Sequence, residues 1–315
     1  MQSQPPFARI GTRGSPLALV QARLVRRLLA EAHQVDPERI TIEVLSTGGD
    51  RSQTSNANLA DIGGKGLFTK EIDQALLDGV VDIGVHSSKD VATALPAGIM
   101  LAAFLEREDV RDAYMSATTR NIDELPQGAK FGTSSIRRAA QVLRLRPDLV
   151  IVPFRGNVDT RLQKLADGVA DATMLAVAGL NRLGKSDRIT AFLDPQHFMP
   201  APAQGAIGIA VRSQDPQFAA VVAPLDHGAT HRSIAAERAM LRVLDGSCRT
   251  PVGVLSSLSG DALVLKGEII SLDGQATFAD SVSGPAEHAD ALGAELGHKL
   301  LGLAGTDFLA QWAQN

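Results

Sequence analysis

The chain has 315 residues, 44% hydrophobic and 4% aromatic, with a formal net charge of −4. That length holds two or three domains rather than one. The acidic balance and scarcity of rings exclude a basic, ring-lined nucleic-acid surface, no apolar run is long enough to span a bilayer, and one cysteine excludes an intramolecular disulfide framework.

The first third alternates strand and helix signals. Phe7–Gly11 reads as a strand. Ser15 is placed to cap the next helix with Pro16 at its first position. Leu17, Val20, Leu24 and Leu28 recur at helical spacing and predict its buried face. Ile40–Leu45 reads as a second strand, Phe68–Leu77 as a second helix and Val81–Val85 as a third strand. This βαβαβ order implies a mostly parallel, helix-covered sheet. The intervening Ser46–Gly66, rich in Ser, Gly, Asn and Asp, is long for a loop in a compact domain and reads as a lid.

The middle third repeats the pattern. Lys130–Gly132, Val150–Pro153 and Ala172–Ala176 read as strands, Ser135–Leu145 and Val158–Ala166 as helices. Phe198–Gly205 is a Pro/Gln/Gly connection leading to a strand over Ala206–Val211. The last third differs: a helix over Ala229–Leu244 precedes strands at Val252–Leu258, Ala262–Ile269 and Ala276–Ser283, the succession of an antiparallel meander. Glu287–Leu303 closes the chain as a helix. The expected domains are 1–105 with 206–223, then 106–205, then a smaller α+β domain over 224–315.

Only eight of the 31 basic residues are lysines, and arginine is favoured where carboxylates or phosphates are held bidentately. Their placement is informative. Arg13 and Ser15 follow the first strand, and His86, Ser87, Ser88, Lys89 and Asp90 follow the third. Thr133, Ser135, Arg137 and Arg138 follow Lys130–Gly132; Arg155, Asn157 and Arg161 follow Val150–Pro153; Arg182 follows Ala172–Ala176. Ligands of open parallel sheets bind beyond the carboxyl ends of strands, near helix N-termini. Donors at five such ends predict a cleft for a ligand with many negative groups. Arg26, Arg27, Arg144 and Arg146 fall mid-helix or late in helices and read as solvated faces. Asp90 is the odd member: it either caps the turn or pairs with Lys89, or it stabilises a cation and moves protons in the reacting ligand.

Cys248 lies in Asp245-Gly246-Ser247-Cys248-Arg249-Thr250-Pro251, a turn-forming run beside an arginine that suits an accessible, partly ionised thiol, although a lone cysteine is more often an inert packing residue and the loop by itself leaves both readings open. Other motifs fail. Gly63-Gly64-Lys65-Gly66-Leu67-Phe68 lacks the hydroxyl of a phosphate loop, and no Glu lies between His227 and His231 as in a zinc protease. No metal site is expected. A solute-binding module of two lobes leaves Asp90 and Cys248 without a task, and a cysteine hydrolase lacks a placed histidine.

Several long blocks together resemble the porphobilinogen deaminase (hydroxymethylbilane synthase) family. They are Thr12–Leu19, Gly64–Glu71, Val85–Val91, Gly132–Arg138, Arg155–Leu162, Pro202–Ala206 and the cysteine loop. The resemblance implies two periplasmic-binding-protein-like α/β domains plus a smaller α+β C-terminal domain with an antiparallel three-stranded sheet. It implies a transferase of tetrapyrrole and heme biosynthesis. Four porphobilinogen molecules are joined head to tail with loss of ammonia, on a dipyrromethane primer held by a thioether that would fall on Cys248, before hydrolysis frees the linear tetrapyrrole. Every pyrrole brings two carboxylates. Arg13, Arg137, Arg138, Arg155, Arg161 and Arg182 match the family's carboxylate-holding arginines, and Ser15, Lys65, Lys89, Thr133, Ser135, Asn157 and Gln204 would add donors. Asp90 matches its catalytic aspartate. The partners expected are porphobilinogen and linear pyrrole intermediates, with no nucleic acid and no membrane, for a cytoplasmic monomer. The chain departs from the family pattern at Asp61, in Val91-Ala92-Thr93, at Ser247, and at Ala203, which replaces a glycine.

Overall fold

The computed structural model describes residues 6–48, 69–244 and 251–313. The expected lid from residue 49 onward, Lys65 within it, and Cys248 lie outside the described residues. The chain divides into two compact units, Met1–Glu108 with Ala206–His231, and Asp109–Gly205 with Arg232–Asn315.

In the first unit β1 (Ala8–Arg13), β2 (Ile40–Leu45), β3 (Ile83–Ser87), β4 (Ile99–Phe104) and β10 (Ile207–Arg212) form one sheet in the order β2-β1-β3-β10-β4. The expected parallel core is present: β1 pairs parallel with both β2 and β3. The fourth position holds the reversed strand β10, antiparallel to β3 and β4. Helices α1 (Pro16–His33) and α2 (Lys70–Leu77) supply the crossovers. Sequence reasoning missed β4, whose run Ile-Met-Leu-Ala-Ala-Phe is apolar throughout and carries no alternation.

Helix α1 forms as expected, with Ser15 Oγ accepting from Ala18 N at 3.3 Å and Pro16 in the first turn. Its buried face is displaced by one residue. Ala18, Ala22, Val25 and Leu29 face the sheet, while Leu17, Val20, Leu24 and Leu28 are only half-buried. Alanines at the centre of the stripe let the helix approach Ile10, Ile40, Ile83 and Ile209 closely, and the leucines pack as its flank.

The second unit repeats the plan. Strands β5 (Asp112–Ser116), β6 (Lys130–Gly132), β7 (Val150–Val152), β8 (Ala172–Ala176) and β9 (Ala191–Phe192) run in the order β7-β6-β8-β5-β9. β6 is parallel to β7 and β8, and β5 is the reversed strand in fourth position. Helices α3 (Ile136–Leu145), α4 (Val158–Ala166) and α5 (Val177–Arg182) start just beyond β6, β7 and β8. Helix α6 (Pro216–Val222) returns to the first unit, and α7 (Gly228–Val243) leads out of it. The meander follows as expected: β11 (Val252–Ser259), β12 (Ala262–Ile270) and β13 (Thr277–Pro285) form an antiparallel sheet covered by α8 (Ala289–Ala313). Met240, Val254, Leu265, Ile269, Leu296 and Leu300 make its core. No helix among the described residues is long and apolar enough to cross a membrane.

Ala203 has φ 61°, a left-handed conformation that a Cβ disfavours. Its backbone N–H is held at 2.7 Å by Glu237 Oε2, which keeps the strained peptide in place. Ala203→Gly is therefore expected to stabilise the protein by roughly 1 kcal/mol, read as a higher denaturant midpoint at unchanged slope. An unchanged or lowered midpoint would contradict the strain.

Candidate active site

The first unit carries a small pocket, open to solvent, at the carboxyl ends of β1 and β3. It brings together Arg13, Ser15, Gln21, His86, Ser87 and Asp90. Arg13 ends β1, Ser15 caps α1, and Asp90 ends the short 3-10 turn Ser88–Asp90 that follows β3. Gln21 Nε2 donates to Ser87 Oγ at 2.9 Å, which fixes α1 to the tip of β3. Asp90 and Lys89 are half-buried. Arg13 and the N-terminal end of the α1 dipole provide a positive end for an anionic group, and Asp90 provides a carboxylate in the same lining.

His86 is buried, and its Nε2 has no hydrogen-bond partner. Burial, helped by the Arg13 guanidinium, pushes its pKa down to about 4. The ring is neutral at physiological pH.

In the second unit β7, β6 and β8 are adjacent and parallel, so the residues after them share one edge of the sheet. Thr133 and Ser135 follow β6. Ser135 caps α3 and donates its N–H to Thr133 Oγ1 at 3.1 Å. Asn157 caps α4, its Oδ1 accepting from Thr160 N at 2.9 Å. Arg155, Arg161 and Arg182 are half-buried. Arg161 Nε donates to Gly156 O at 2.8 Å, and Arg182 Nη2 to Gly205 O at 2.6 Å.

Arg137, Arg138 and Gln204 differ from the open donors expected of them. Both arginines are 5% exposed and Gln204 is 0% exposed. Arg138 donates through Nε and Nη2 to Asp112 and through Nη1 to Met174 O. Arg137 donates through Nη2 to Asp112 at 2.8 Å and through Nη1 to Gln141 Oε1 and Met199 O. Gln204 Nε2 donates to Val110 O and to Asp112 Oδ1 at 2.9 Å, so its amide hydrogens hold protein groups. Burial lowers the Arg137 pKa, opposed by the Asp112 carboxylate, and a guanidinium remains charged under such a shift. The donor left over is Arg137 Nε, buried and unpartnered.

Sequence reasoning missed Asp112, the carboxylate that gathers these groups, and Glu268. Each is a lone acid entering an otherwise apolar strand, a pattern that signals a buried charge with a partner. Arg144 and Arg146 are not merely solvated: Arg144 Nη1 pairs with buried Glu268 at 2.7 Å, and Arg146 Nε pairs with Asp148 at 2.7 Å. His227 and His231 are engaged with Thr230 and Asp226.

Two mixed α/β units, each presenting donors at the carboxyl ends of its parallel strands, define a protein of the anion-binding α/β class. The model of the family described as "Porphobilinogen deaminase, dipyromethane cofactor binding domain" matches residues 8–220, and "Porphobilinogen deaminase, C-terminal domain" matches residues 231–302. Curated porphobilinogen deaminases of Nitrobacter winogradskyi and Nitrobacter hamburgensis are each 51% identical to the chain over 307 residues, 98% of this chain and 96% of theirs. Among solved structures, a periplasmic substrate-binding protein of an ABC transporter from Coxiella burnetii overlaps 73% of this chain and 97% of its own, at 14% identity and a TM-score of 0.44. The chain belongs to the porphobilinogen deaminase family. It is a transferase that condenses four porphobilinogen molecules on a dipyrromethane cofactor and releases hydroxymethylbilane. The second unit suits that cofactor. Its Arg137 Nε is buried and unpartnered, a guanidinium donor of the kind that holds a carboxylate.

Neutral, buried His86 makes stability depend on pH. Unfolded, an imidazole titrates near its ordinary 6.5; folded, this one titrates near about 4. Between those values the unfolded chain binds the extra proton, so stability is lost as pH falls through the window and is constant above it. Relative to His86→Gln, the wild type is expected to lose roughly 2 kcal/mol of unfolding free energy between about pH 7 and about pH 5. Parallel denaturation curves for the two proteins would reject the buried neutral state.

Proposed function

We propose that Asp90 is the catalytic residue and Cys248 the point of cofactor attachment. Arg13, Arg137, Arg138, Arg155, Arg161 and Arg182 hold the pyrrole carboxylates, with Ser15, Lys65, Lys89, Thr133, Ser135 and Asn157 as further donors. Gln204 holds Asp112 in place. The observation that carries this reading is the pocket in which Asp90 shares a lining with Arg13 and the N-terminus of α1.

Porphobilinogen carries an acetate, a propionate, an aminomethyl group and a pyrrole N–H. Arg13 and the start of α1 take a carboxylate of the incoming molecule and orient it. Asp90 accepts the pyrrole N–H. As the carbon–nitrogen bond to the aminomethyl group breaks, its electron pair leaves with ammonia and positive charge spreads over the ring. A fixed carboxylate in a partly dry pocket stabilises that charge without reorganising. When bound, the dipyrromethane supplies the nucleophilic pyrrole carbon from which the chain grows. Asp90 then takes the proton that the new carbon–carbon bond releases. Neutral His86 at the edge of the same pocket adds no positive charge to oppose the cation.

The enzyme is read as a cytoplasmic monomer, consistent with one cysteine and a reducing compartment. Its domains are read as 1–105 with 206–223, 106–205 and 224–315, the last supported by its own apolar core.

Two measurements test the assignment. The intact mass of freshly purified protein should exceed that of the 33.2 kDa chain by two linked pyrrole units, and Cys248→Ala should remove the excess; an unmodified wild type would refute the attachment. Asp90→Ala should keep the thermal midpoint and lose about 10²- to 10⁴-fold in kcat, whereas turnover within about threefold of wild type would reject the catalytic role.

A further inference from the structure

The search beyond the pocket leads to a buried polar ladder in the second unit. It starts at Asp112, the first residue of β5. Asp112 Oδ2 accepts from Arg137 Nη2 at 2.8 Å, and Arg137 Nη1 donates to Gln141 Oε1 at 2.9 Å. Gln141 Nε2 donates to Glu268 Oε1 at 2.8 Å, and Glu268 Oε2 accepts from Arg144 Nη1 at 2.7 Å. Arg137, Gln141 and Arg144 lie at i, i+4 and i+7 on α3 and so share one face. Asp112 and Gln141 are 0% exposed and Glu268 is 4% exposed.

This arrangement is not needed to pack a helix on a sheet. Apolar residues of similar volume do that as well or better than buried ions. What the ladder does specifically is clamp a guanidinium. Arg137 is bound at Nη1 by Gln141 and Met199 O and at Nη2 by Asp112. A planar group held at two of its three nitrogens cannot turn, so the direction of its third donor is fixed. That donor is Nε, which is buried and has no partner.

The far end of the ladder lies on the sheet whose first strand follows the cysteine segment. Glu268 pairs in register with Gly253 of β11, five residues after Cys248 in the chain. A Cβ on Gly253 would lie 2.6 Å from Met199 Cβ and 3.0 Å from Glu268 Oε1. Gly274, at φ 77°, meets the backbone of α3 at Arg144 closely enough that no Cβ fits. The sheet therefore seats on α3 in one position, and Glu268 is delivered to Gln141 from there.

We propose that Gln141 and Glu268 are positioning residues. They aim Arg137 Nε–H at a pyrrole carboxylate and tie its direction to the sheet that carries the chain onward from Cys248. The proposal rests on the reading of Arg137 as a carboxylate holder. A group that binds ground state and transition state alike moves KM rather than kcat, so the expected signature is a KM effect together with a poorer hold on the cofactor.

The experiment uses the full-length protein with two readouts: the fraction of freshly purified protein carrying the two-pyrrole mass, and KM and kcat for porphobilinogen. Gln141→Met keeps the volume and removes both ladder bonds. It is expected to stay folded, to raise KM about tenfold with kcat within about threefold, and to lower the cofactor-bearing fraction. Arg137→Leu should do the same, and adding Gln141→Met to it should change KM by less than about twofold, since the two act as one unit. The exchange Gln141→Glu with Glu268→Gln keeps an acceptor facing Arg137 and another facing Arg144, reverses only the bond between the two exchanged residues, and should bring KM back to within about threefold of wild type. If Gln141→Met does not fold, Glu268→Gln, alone and with Arg137→Leu, makes the same comparison at constant volume. A normal Arg137→Leu would refute the carboxylate-holding role itself. An impaired Arg137→Leu beside a normal Gln141→Met, or a further tenfold loss in the double variant, would leave that role standing and overturn the positioning role.

Discussion

One buried carboxylate organises the second unit. Asp112 is fully enclosed and faces two guanidiniums that are nearly so. A charge moved from water into such a site costs several kcal/mol, recovered only when its geometry and remaining hydrogen bonds are satisfied. Here both oxygens of Asp112 accept bonds from Arg137, Arg138 and Gln204. The set still carries one positive charge in excess. Backbone carbonyls of Met174 and Met199 and the side-chain oxygen of Gln141 absorb part of it. A buried site with residual positive charge is poised for an anion, and a ligand whose every ring adds two carboxylates supplies one.

The remaining architecture follows from how the chain reaches that carboxylate. Both five-stranded sheets place a reversed strand in fourth position, β10 in the first unit and β5 in the second. Asp112 is the first residue of β5, and Gln204 stands shortly before β10. The chain passes from one unit to the other after Glu108, Gly205 and His231, and Asp112 and Gln204 each stand near one of the first two crossings. Their bond at 2.9 Å, with the bond from Gln204 to Val110 O, ties the segment before β10 to the segment leading into β5. The strain at Ala203 is confined to the peptide beside Gln204, where Glu237 of α7 grips the backbone and also accepts from Ser256 Oγ of β11 at 2.6 Å. A backbone held in a disfavoured conformation persists where its surroundings over-determine it.

Much of this was legible in the sequence, for identifiable reasons. Strand-end donors followed from chemistry at helix caps: Ser15, Ser135 and Asn157 each cap the helix their spacing indicates. The antiparallel meander was equally plain, since successive β-rich runs without a helical segment between them have few alternatives. The face of α1 was misread by one residue because hydrophobicity ranks leucine above alanine, whereas close approach to a sheet selects the smaller side chain at the centre of the stripe. Strand β4 was missed because its run is apolar throughout and shows no alternation, and β5 because it opens with a buried aspartate, which in isolation reads as a turn.

The arginines mark the deeper limit. Local sequence places Arg137 and Arg138 beside a helix cap and therefore near a ligand, but not whether their donors are already engaged. That depends on Asp112, 25 residues away, and, through Gln141, on Glu268, 127 residues from Gln141. Charge pairing at such separations leaves no periodic trace; only the isolated acids in apolar strands hint at it. The consequence for function is specific. Arg155, Arg161 and Arg182 are half-buried at the sheet edge, whereas Arg137 and Arg138 are enclosed and held by Asp112. Under the proposed reading, the enclosed pair suits the anchored end of a ligand that lengthens ring by ring, which must be held in one place. Rigidity at the anchored end carries the electrostatic cost of buried ions, which explains why charges stay where apolar packing would be the more stable solution.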